Sequence, residues 1–171
     1  MRCLGLDLGT QVSGAALVEG DSQQSQLIQE VTLKAPAGRL SARLDWMTQE
    51  IQTFIHKTRP DTAALETPFY GRNVKSLSSL AQIRGAVLVV LERAGIPVID
   101  LAPQSIKKTV TGYGSASKEQ VSQMLQQIFG VTGFSSQDAS DAAAAGYAGL
   151  LTALHQEKMR GVLSTADKET T

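Results

Sequence analysis

Residues 2–9 read Arg-Cys-Leu-Gly-Leu-Asp-Leu-Gly, and this stretch decides how the chain begins to fold. The apolar run from Arg2 to Leu8 stops at a glycine and predicts a buried strand. A charged side chain inside such a run, here Asp7, is costly to bury unless it is paired or bound to a metal ion. The backbone amides of the turn at Gly9-Thr10 are the alternative partners. The stretch therefore predicts a buried strand that carries one carboxylate needing a partner.

Hydrophobic periodicity outward from this strand predicts further strands and helices. The strands are Val12–Val18, Leu27–Leu33, Thr62–Leu65 with Glu66 at its end, and Ile96–Leu101. The helices are Arg39–Lys57, Ser76–Ala94, Pro103–Val110, one from the capping box of Ser117 and Gln120 through Phe129, and one from Ser135 or Ser136 to about His155. Between two of them, Gly112-Tyr113-Gly114 is typical of a flexible loop. This order predicts an α/β protein, with a mixed five-stranded sheet and helices on both faces.

Length and composition are those of a soluble globular protein. The 171 residues suit one domain, expected over residues 1–157, and residues 158–171 lack periodicity and are predicted to form a disordered tail. No apolar stretch approaches the roughly 20 residues that span a bilayer, and no secretory signal is recognisable. The single cysteine, Cys3, cannot form an internal disulfide and favours a reducing cytoplasm. One cysteine and two histidines are also too few for a structural zinc site.

The net charge of zero hides an uneven distribution of charge along the chain. The segment from Gly71 to Lys118 contains seven basic and two acidic residues, so it carries +5 and the remainder carries −5. Its basic residues are Arg72, Lys75, Arg84, Arg93, Lys107, Lys108 and Lys118. A basic middle segment favours a protein that binds phosphates on one face. Some of these side chains, Arg93 above all, are expected only to lie on the solvent-exposed face of a helix, without a functional contact.

The helix Ser76–Ala94 is predicted to bury more than one face. Residues 85–91 read Gly-Ala-Val-Leu-Val-Val-Leu, which is apolar on every side of a helix. One buried face cannot account for this pattern. The pattern fits a helix that lies on a sheet and also contacts another subunit.

Three further acidic residues occupy unusual positions. Glu66 ends the apolar run Ala63-Ala64-Leu65. Asp138 and Asp141 are three residues apart at the start of the last helix, which places both on one face at the positive end of the helix dipole. Each has an ordinary alternative explanation. Asp138 could be the capping-box partner of Ser135, and Glu66 could pair with a neighbouring arginine.

Together with Asp7, these residues predict a metal site. Carboxylates ~5 Å apart repel by roughly 3 kcal/mol at an effective dielectric constant near 20, so a cluster of four requires cations. Hard oxygen ligands without His or Cys select Mg²⁺ or Mn²⁺. Two such ions about 4 Å apart can activate a water and stabilise the leaving oxygen in phosphoryl displacement. The expected chemistry is phosphodiester hydrolysis.

At this point the sequence resembles the RuvC family of Holliday junction resolvases, which have a ribonuclease H-like fold. The likeness runs from Leu4 to about Leu154. It is carried by Gly5-Leu6-Asp7-Leu8-Gly9, Glu66 with Phe69 and Asn73, Gln82-Ile83-Arg84-Gly85, Lys107-Lys108-Thr109-Val110-Thr111-Gly112, Gly114-Ser115-Ala116 with Lys118, and Asp138-Ala139-Ser140-Asp141-Ala142. Two departures stand beside these motifs. Leu8 replaces the proline that usually follows the first aspartate, and Thr67-Pro68 are unusual beside Glu66.

The resemblance implies a role for each matching residue. It implies that Asp7, Glu66, Asp138 and Asp141 are the catalytic and metal-binding residues, with two Mg²⁺ or Mn²⁺ ions. Phe69 is similar to the aromatic residue that stacks on a base near the cut, although a loop anchor packed in the core is its alternative. Lys107 and Lys118 resemble lysines that bind the DNA backbone. The full set expected to contact DNA is Phe69, Arg72, Asn73, Lys75, Arg84, Lys107, Lys108 and Lys118.

The resemblance also implies a substrate and partners. The family cuts four-way DNA junctions in recombination and repair by paired symmetric nicks, which leave 5′-phosphate and 3′-hydroxyl ends. It acts as a homodimer, for which Ser76–Ala94 is the natural interface, and a RuvA–RuvB branch-migration complex is the expected partner. Three alternatives remain open. They are an actin-like phosphotransferase built on Asp7-Leu8-Gly9-Thr10, a catalytically silent protein that recognises branched nucleic acid, and a related nuclease that acts on RNA.

Overall fold

The strand predicted from residues 2–9 lies at the centre of a five-stranded sheet. The computed structural model describes residues 1–21, 23–67 and 74–166, and the side chains of residues 74–76 and 162–166 are left out of the description. The strands are β1 (Arg2–Asp7), β2 (Val12–Gly20), β3 (Ser25–Lys34), β4 (Thr62–Glu66) and β5 (Val98–Leu101). Their order is β3-β2-β1-β4-β5. Strands β1 to β3 pair antiparallel, whereas β1, β4 and β5 pair parallel, so the predicted mixed sheet is confirmed.

Helices cover both faces of this sheet, as the order of elements predicted. They are α1 (Leu40–Thr58), α2 (Val74–Arg93), α3 (Pro103–Thr111), α4 (Lys118–Phe129) and α5 (Gln137–Ala166). One hydrophobic cluster joins α1 and α2 to the sheet through side chains such as Leu4, Leu6 and Leu65. The second joins α3, α4 and α5 to the opposite face, where Cys3 and Ala64 lie. Alternate residues of β1 and β4 therefore serve opposite faces, because side chains alternate along a strand.

Helix α5 lies directly on the sheet because small residues line the contact. Residues 142–145 are four alanines, and all are buried. A Cβ atom on Gly5 would lie 1.9 Å from the carbonyl oxygen of Ala142, and one on Gly14 would lie 1.9 Å from that of Asp138. A glycine inside a strand often marks such a close backbone approach. The glycines of β1 and β2 thus allow the first turns of α5 to lie against the sheet.

The end of α5 differs from the prediction. The helix continues to Ala166 rather than ending near His155, so residues 158–166 are helical where a tail was expected. Residues 155–161 are exposed, so this extension lacks the periodic buried residues from which a sequence predicts a helix. Gln156, Glu157, Lys158, Met159 and Arg160 are good helix formers, which explains the continuation by local preference. The last five residues lie outside the described part of the chain.

The remaining boundaries agree with the predicted elements to within a few residues. Ser117 and Gln120 form the predicted reciprocal capping box at the start of α4. Gly95 follows α2 with a left-handed φ of 69°, which is typical of the residue after a helix C-terminus. No helix in the described ranges is long and apolar enough to cross a membrane.

Candidate active site

The topology brings the four carboxylates to one cavity. Strands β1 and β4 run parallel with Leu6 opposite Leu65, so Asp7 and Glu66 end neighbouring strands at the same edge of the sheet. Asp7 pairs across to Gly14 of β2, and Gly14 contacts the backbone of Asp138. The first turns of α5 therefore lie beside the end of β1.

The cavity has a volume of about 370 Å³. Its lining includes all four predicted carboxylates, Asp7, Glu66, Asp138 and Asp141, together with Lys107 of α3 and Lys118 of α4. The other lining residues are Leu8, Gly9, Val12, Pro103, Ile106, Val121 and Ala144. Of these, Leu8 and Gly9 belong to the first motif, and the sequence did not single out the other five. The structure thus brings together residues that are up to 134 positions apart in the chain (141 minus 7).

Electrostatics within the cavity oppose a full set of negative charges. Burial, followed by the charges of Asp141 and Asp138, raises the pKa of Asp7 from 3.8 to about 6. Glu66 contributes in the same direction, and Lys118 partly offsets the shift. The surroundings thus disfavour the charged form of the carboxylate predicted from residues 2–9.

Lys118 contacts one of these carboxylates directly. Its Nζ forms an ion pair with Asp141 Oδ2. Partial burial alone would lower the pKa of Lys118, but the hydrogen bond to Asp141 and the charges of Asp141, Asp7 and Glu66 outweigh it and raise the pKa. Gln137 donates to the other Asp141 oxygen at 2.8 Å. Asp141 is therefore held in place by two neighbours from α4 and α5.

The residues present fit a hard divalent cation. Within the described residues, no three His, Cys, Asp or Glu side chains lie close enough together, as placed, to hold a metal ion. The four carboxylates nevertheless line one cavity and offer oxygen donors alone, which is the set that Mg²⁺ and Mn²⁺ prefer. Burial and, after it, repulsion from the neighbouring carboxylates raise the pKa of Asp7, and a bound cation would oppose both effects.

The capping explanation of Asp138 does not hold. Ser135 N–H donates to Glu30 Oε1 at 2.8 Å, and the Ser135 hydroxyl contacts Glu30 Oε2 at 3.2 Å. The hydroxyl of Ser136, instead, accepts from Ala139 N–H at 3.1 Å and caps the helix. Glu30 of β3 thus takes the backbone amide that a capping box would have assigned to Asp138.

Thr32 completes this anchorage of α5. Its hydroxyl is hydrogen-bonded to Ser136 at 2.6 Å. Neither Thr32 nor Glu30 was predicted to matter, because both are about a hundred residues from α5 and their neighbours in sequence give no sign of the contact. Together they fix the helix start that carries Asp138 and Asp141.

The groups considered as alternative partners of Asp7 and Glu66 also make specific contacts of their own. Gly9 N–H, one of the amides considered for Asp7, donates to Ser13 Oγ at 3.0 Å. Arg84 contacts Glu66 through the main-chain carbonyl oxygen, at 3.2 Å from Nη1, and its Nη2 pairs with Asp100. The Arg84 side chain is only 14% exposed. Its guanidinium group therefore joins the ends of β4 and β5.

The other predicted DNA contacts fall into two groups. Lys108 is exposed on α3, one residue from Lys107. Phe69, Arg72 and Asn73 lie outside the described residues, as does the side chain of Lys75.

Comparison with known proteins assigns the chain to a family. The family described as "Crossover junction endodeoxyribonuclease RuvC" matches residues 3–148. A relative of that description from Chloroflexus aggregans is 38% identical over 146 residues, covering 84% of this chain and 89% of its own. Another, from Alkalilimnicola ehrlichii, is 32% identical over 165 residues and covers 96% and 98%.

Solved structures agree with the sequence relatives. "T. thermophilus RuvC in complex with Holliday junction substrate" superimposes with a TM-score of 0.86 at 26% identity, covering 91% of this chain and 96% of that chain. The yeast mitochondrial Holliday junction resolvase Ydc2, at 14% identity and a TM-score of 0.62, shares the fold. The ribonuclease H-like α/β fold predicted from the resemblance is confirmed. The chain belongs to the RuvC family of crossover junction endodeoxyribonucleases.

Proposed function

We propose that this protein resolves four-way DNA junctions in recombination and repair by hydrolysing two symmetric strands. The observation that supports this most is the single cavity where carboxylates from β1, β4 and α5 lie beside two lysines. Hydrolysis of a phosphodiester uses that combination, because carboxylates hold the metal ions and lysines neutralise the phosphate. The family relative crystallised with a Holliday junction supports the branched substrate.

Asp7, Glu66, Asp138 and Asp141 would hold the metal, which we infer to be two Mg²⁺ or Mn²⁺ ions. When bound, such ions supply positive charge that stabilises the developing charge on a phosphate oxygen. Products with 5′-phosphate and 3′-hydroxyl ends follow from hydrolysis on the 3′-oxygen side of the phosphorus.

The chain's own residues position the phosphate and the carboxylates. Lys107 and Lys118 line the cavity and would each donate a charge-assisted hydrogen bond to the scissile or a neighbouring phosphate. To do so, Lys118 exchanges its partner Asp141 for the DNA. Val12 and Val121 line the same cavity, and apolar side chains beside these charges lower the local dielectric constant and strengthen the charge interactions.

The remaining predicted DNA contacts rest on surface exposure or on the family likeness. Exposed Lys108 is suited to a phosphate farther along the strand. Phe69, Arg72, Asn73 and Lys75 remain predicted contacts from the family likeness. Arg84 is better suited to positioning, because Glu66 and Asp100 already occupy its guanidinium group.

The same proposal includes a homodimer through α2. Val89 is 48% exposed on this helix, whereas Ile83, Val87 and Leu91 are buried against the sheet. Ala81 and Gly85 are also exposed. A second copy packed on this face would cover it and present two cavities to the two strands of a symmetric junction. A cytoplasmic location and a RuvA–RuvB partner are part of the proposal by family membership.

A comparison of substrates tests the function. We expect Mg²⁺- or Mn²⁺-dependent paired nicks in a four-way DNA junction, with much weaker cutting of duplex DNA or structured RNA. The variant D7N should keep junction binding and lose cutting, and D45N, which removes an exposed carboxylate on α1, should cut normally. Equal cutting of RNA and junction would favour an RNA nuclease, binding without any cutting would favour a silent recognition protein, and undiminished cutting by D7N would contradict the assigned site.

A further inference from the structure

A second cavity is lined by the loop that joins α3 and α4 and by α4 itself. Its volume is about 370 Å³, the same as that of the candidate active site. Among its lining residues are Tyr113, Met124, Gln123 and Gln127, and none of the described residues that line it is charged. We call this cavity the Tyr113 groove. Its lining does not suit a free phosphate or a metal ion, both of which require charged partners.

Tyr113 is the most conspicuous side chain of the groove. It is 73% exposed, more than any other large hydrophobic side chain noted on the described surface. A tyrosine left in water forgoes the free energy of burying its ring, so such exposure is typical of a binding surface. The pattern Gly112-Tyr113-Gly114 predicted only a loop and gave no reason for this ring.

The backbone under Tyr113 is fixed rather than flexible. The hydroxyl of Thr111 accepts from Tyr113 N–H at 3.2 Å and lies 2.9 Å from the carbonyl oxygen of Lys107. Gly112 adopts the left-handed φ of 83° that ends α3, and Ala116 N–H donates to the Tyr113 carbonyl at 3.4 Å. The ring is thus presented by an ordered turn, which lowers the entropy lost when a ligand stacks on it.

This turn connects the groove to the candidate active site. Lys107, whose carbonyl oxygen contacts Thr111, lines the active-site cavity, and so does Lys118 at the start of α4. Gln120 lies in the same first turn of α4 but lines the groove instead. A DNA strand bound by the two lysines would therefore reach Tyr113 by crossing the loop between α3 and α4.

We propose that the Tyr113 groove binds an unpaired nucleobase of the substrate, a few nucleotides from the scissile phosphate. The proposal rests on the proposed function, because it adds a subsite to the same DNA. A base offers a flat face that stacks on the tyrosine ring and an edge that hydrogen-bonds to amides. Gln123 and Gln127 supply amide groups, and Met124 supplies a soft apolar contact. Bases inside a duplex have both faces covered by their neighbours, so the groove selects bases freed at a branch point.

Binding to junctions that each lack one base tests this proposal. Junction affinity would be measured without divalent metal, to prevent cutting, on an intact junction and on junctions with one abasic residue at successive positions near the branch. We expect the wild-type protein to lose about tenfold in affinity at one position, as for loss of one stacked base. The variant Y113A should bind the intact junction about tenfold more weakly and lose nothing further at that position. Y113F, which keeps the ring, should behave as wild type.

Two controls make the result specific. I28A truncates another exposed apolar side chain, on β3, and should not change affinity for any junction. A single-stranded oligonucleotide, intact or containing abasic residues, tests the groove independently of branched DNA. If the wild-type protein does not bind junctions, but the Y113A substitution still weakens base-dependent binding of the oligonucleotide, the groove proposal is supported and the proposed function is contradicted. If Y113A matches wild type on every DNA, the groove does not bind a base.

Discussion

Lys118 Nζ at the start of α4 forms an ion pair with Asp141 Oδ2 on α5, so a cation of the protein contacts a carboxylate that we assign to metal binding. A metal ion and Lys118 therefore compete for Asp141, and a phosphate that attracts Lys118 would release Asp141 to the metal. Binding of DNA and binding of metal are expected to favour each other through this one lysine.

Replacing Lys118 by methionine separates these effects. Without DNA, K118M should bind Mn²⁺ about fivefold more tightly, because a competing charge worth ~1 kcal/mol is removed. Cutting should fall by about 100-fold, since the phosphate loses a charged partner. Calorimetry with Mn²⁺ and single-turnover cleavage measure the two effects, and K57M on α1 is the matched control. Weaker metal binding by K118M would show that Lys118 supports the site rather than competing for it.

The raised pKa of Asp7 predicts how stability depends on pH in the metal-free protein. The folded state binds this proton more tightly than the unfolded state, whose carboxyl has a pKa near 3.8. The contribution of Asp7 is thus most favourable below pH 3.8 and is lost as the pH rises to about 6. The loss is on the order of 3 kcal/mol. D7N should remove this part of the slope and melt at a higher temperature at pH 7.

Thermal melting in buffers without divalent metal, from pH 4 to pH 8, measures the difference between wild type and D7N. Added Mn²⁺ should raise the melting temperature of the wild-type protein more than that of D7N, because a ligand stabilises the state that binds it. Identical pH profiles for the two proteins would show that Asp7 is not the group responsible.

Close packing at Gly14 predicts that a single methyl group disturbs the active site. A Cβ atom there would lie 1.9 Å from the carbonyl oxygen of Asp138, and backbone cannot move aside as a flexible side chain can. G14A should lower the free energy of unfolding by about 3 kcal/mol and reduce cutting by displacing α5. Denaturant unfolding and cleavage assays measure both. G133A is the control, because nothing lies within 4 Å of its added Cβ; similar losses in both variants would refute the packing argument.

The residues around Asp138 show which parts of this site the sequence predicts and which parts it does not. The strands, the helices and the four carboxylates follow from periodicity and from charges placed beside apolar runs. The alternative explanation of Asp138 as the capping-box partner of Ser135 was wrong, because Glu30 of β3 accepts the hydrogen bond from Ser135 N–H. Likewise, the contact of Gly14 with α5 joins residues over a hundred positions apart. Local patterns predict which groups need partners, and only the tertiary structure decides which distant residue supplies them.

The bonds from Arg84 to Glu66 and Asp100 predict a positioning residue rather than a DNA contact. R84M should lower the cleavage rate of bound junction about tenfold by loosening the end of β4, with little change in affinity. The salt dependence of binding distinguishes the two roles, because loss of a phosphate contact would reduce the slope of log affinity against log salt by about one. An unchanged slope with slower cutting is the expected result. A reduced slope would return Arg84 to the predicted DNA contacts.

Exposed Val89 predicts that the dimer can be separated by one charge. In V89E, dimerisation would bury an unpaired carboxylate in an apolar contact, which costs several kcal/mol across two symmetric copies. We expect V89E to sediment as a monomer at concentrations where the wild-type protein is a dimer, and to lose paired cutting of the junction. The V89E monomer should keep the fold, with the circular dichroism spectrum of wild type, because Val89 is 48% exposed and Val87 and Leu91 keep α2 on the sheet. I28E places the same charge on β3, where no symmetric contact is proposed, so it should leave the sedimentation unchanged. A V89E dimer that still makes paired nicks would place the interface on another face.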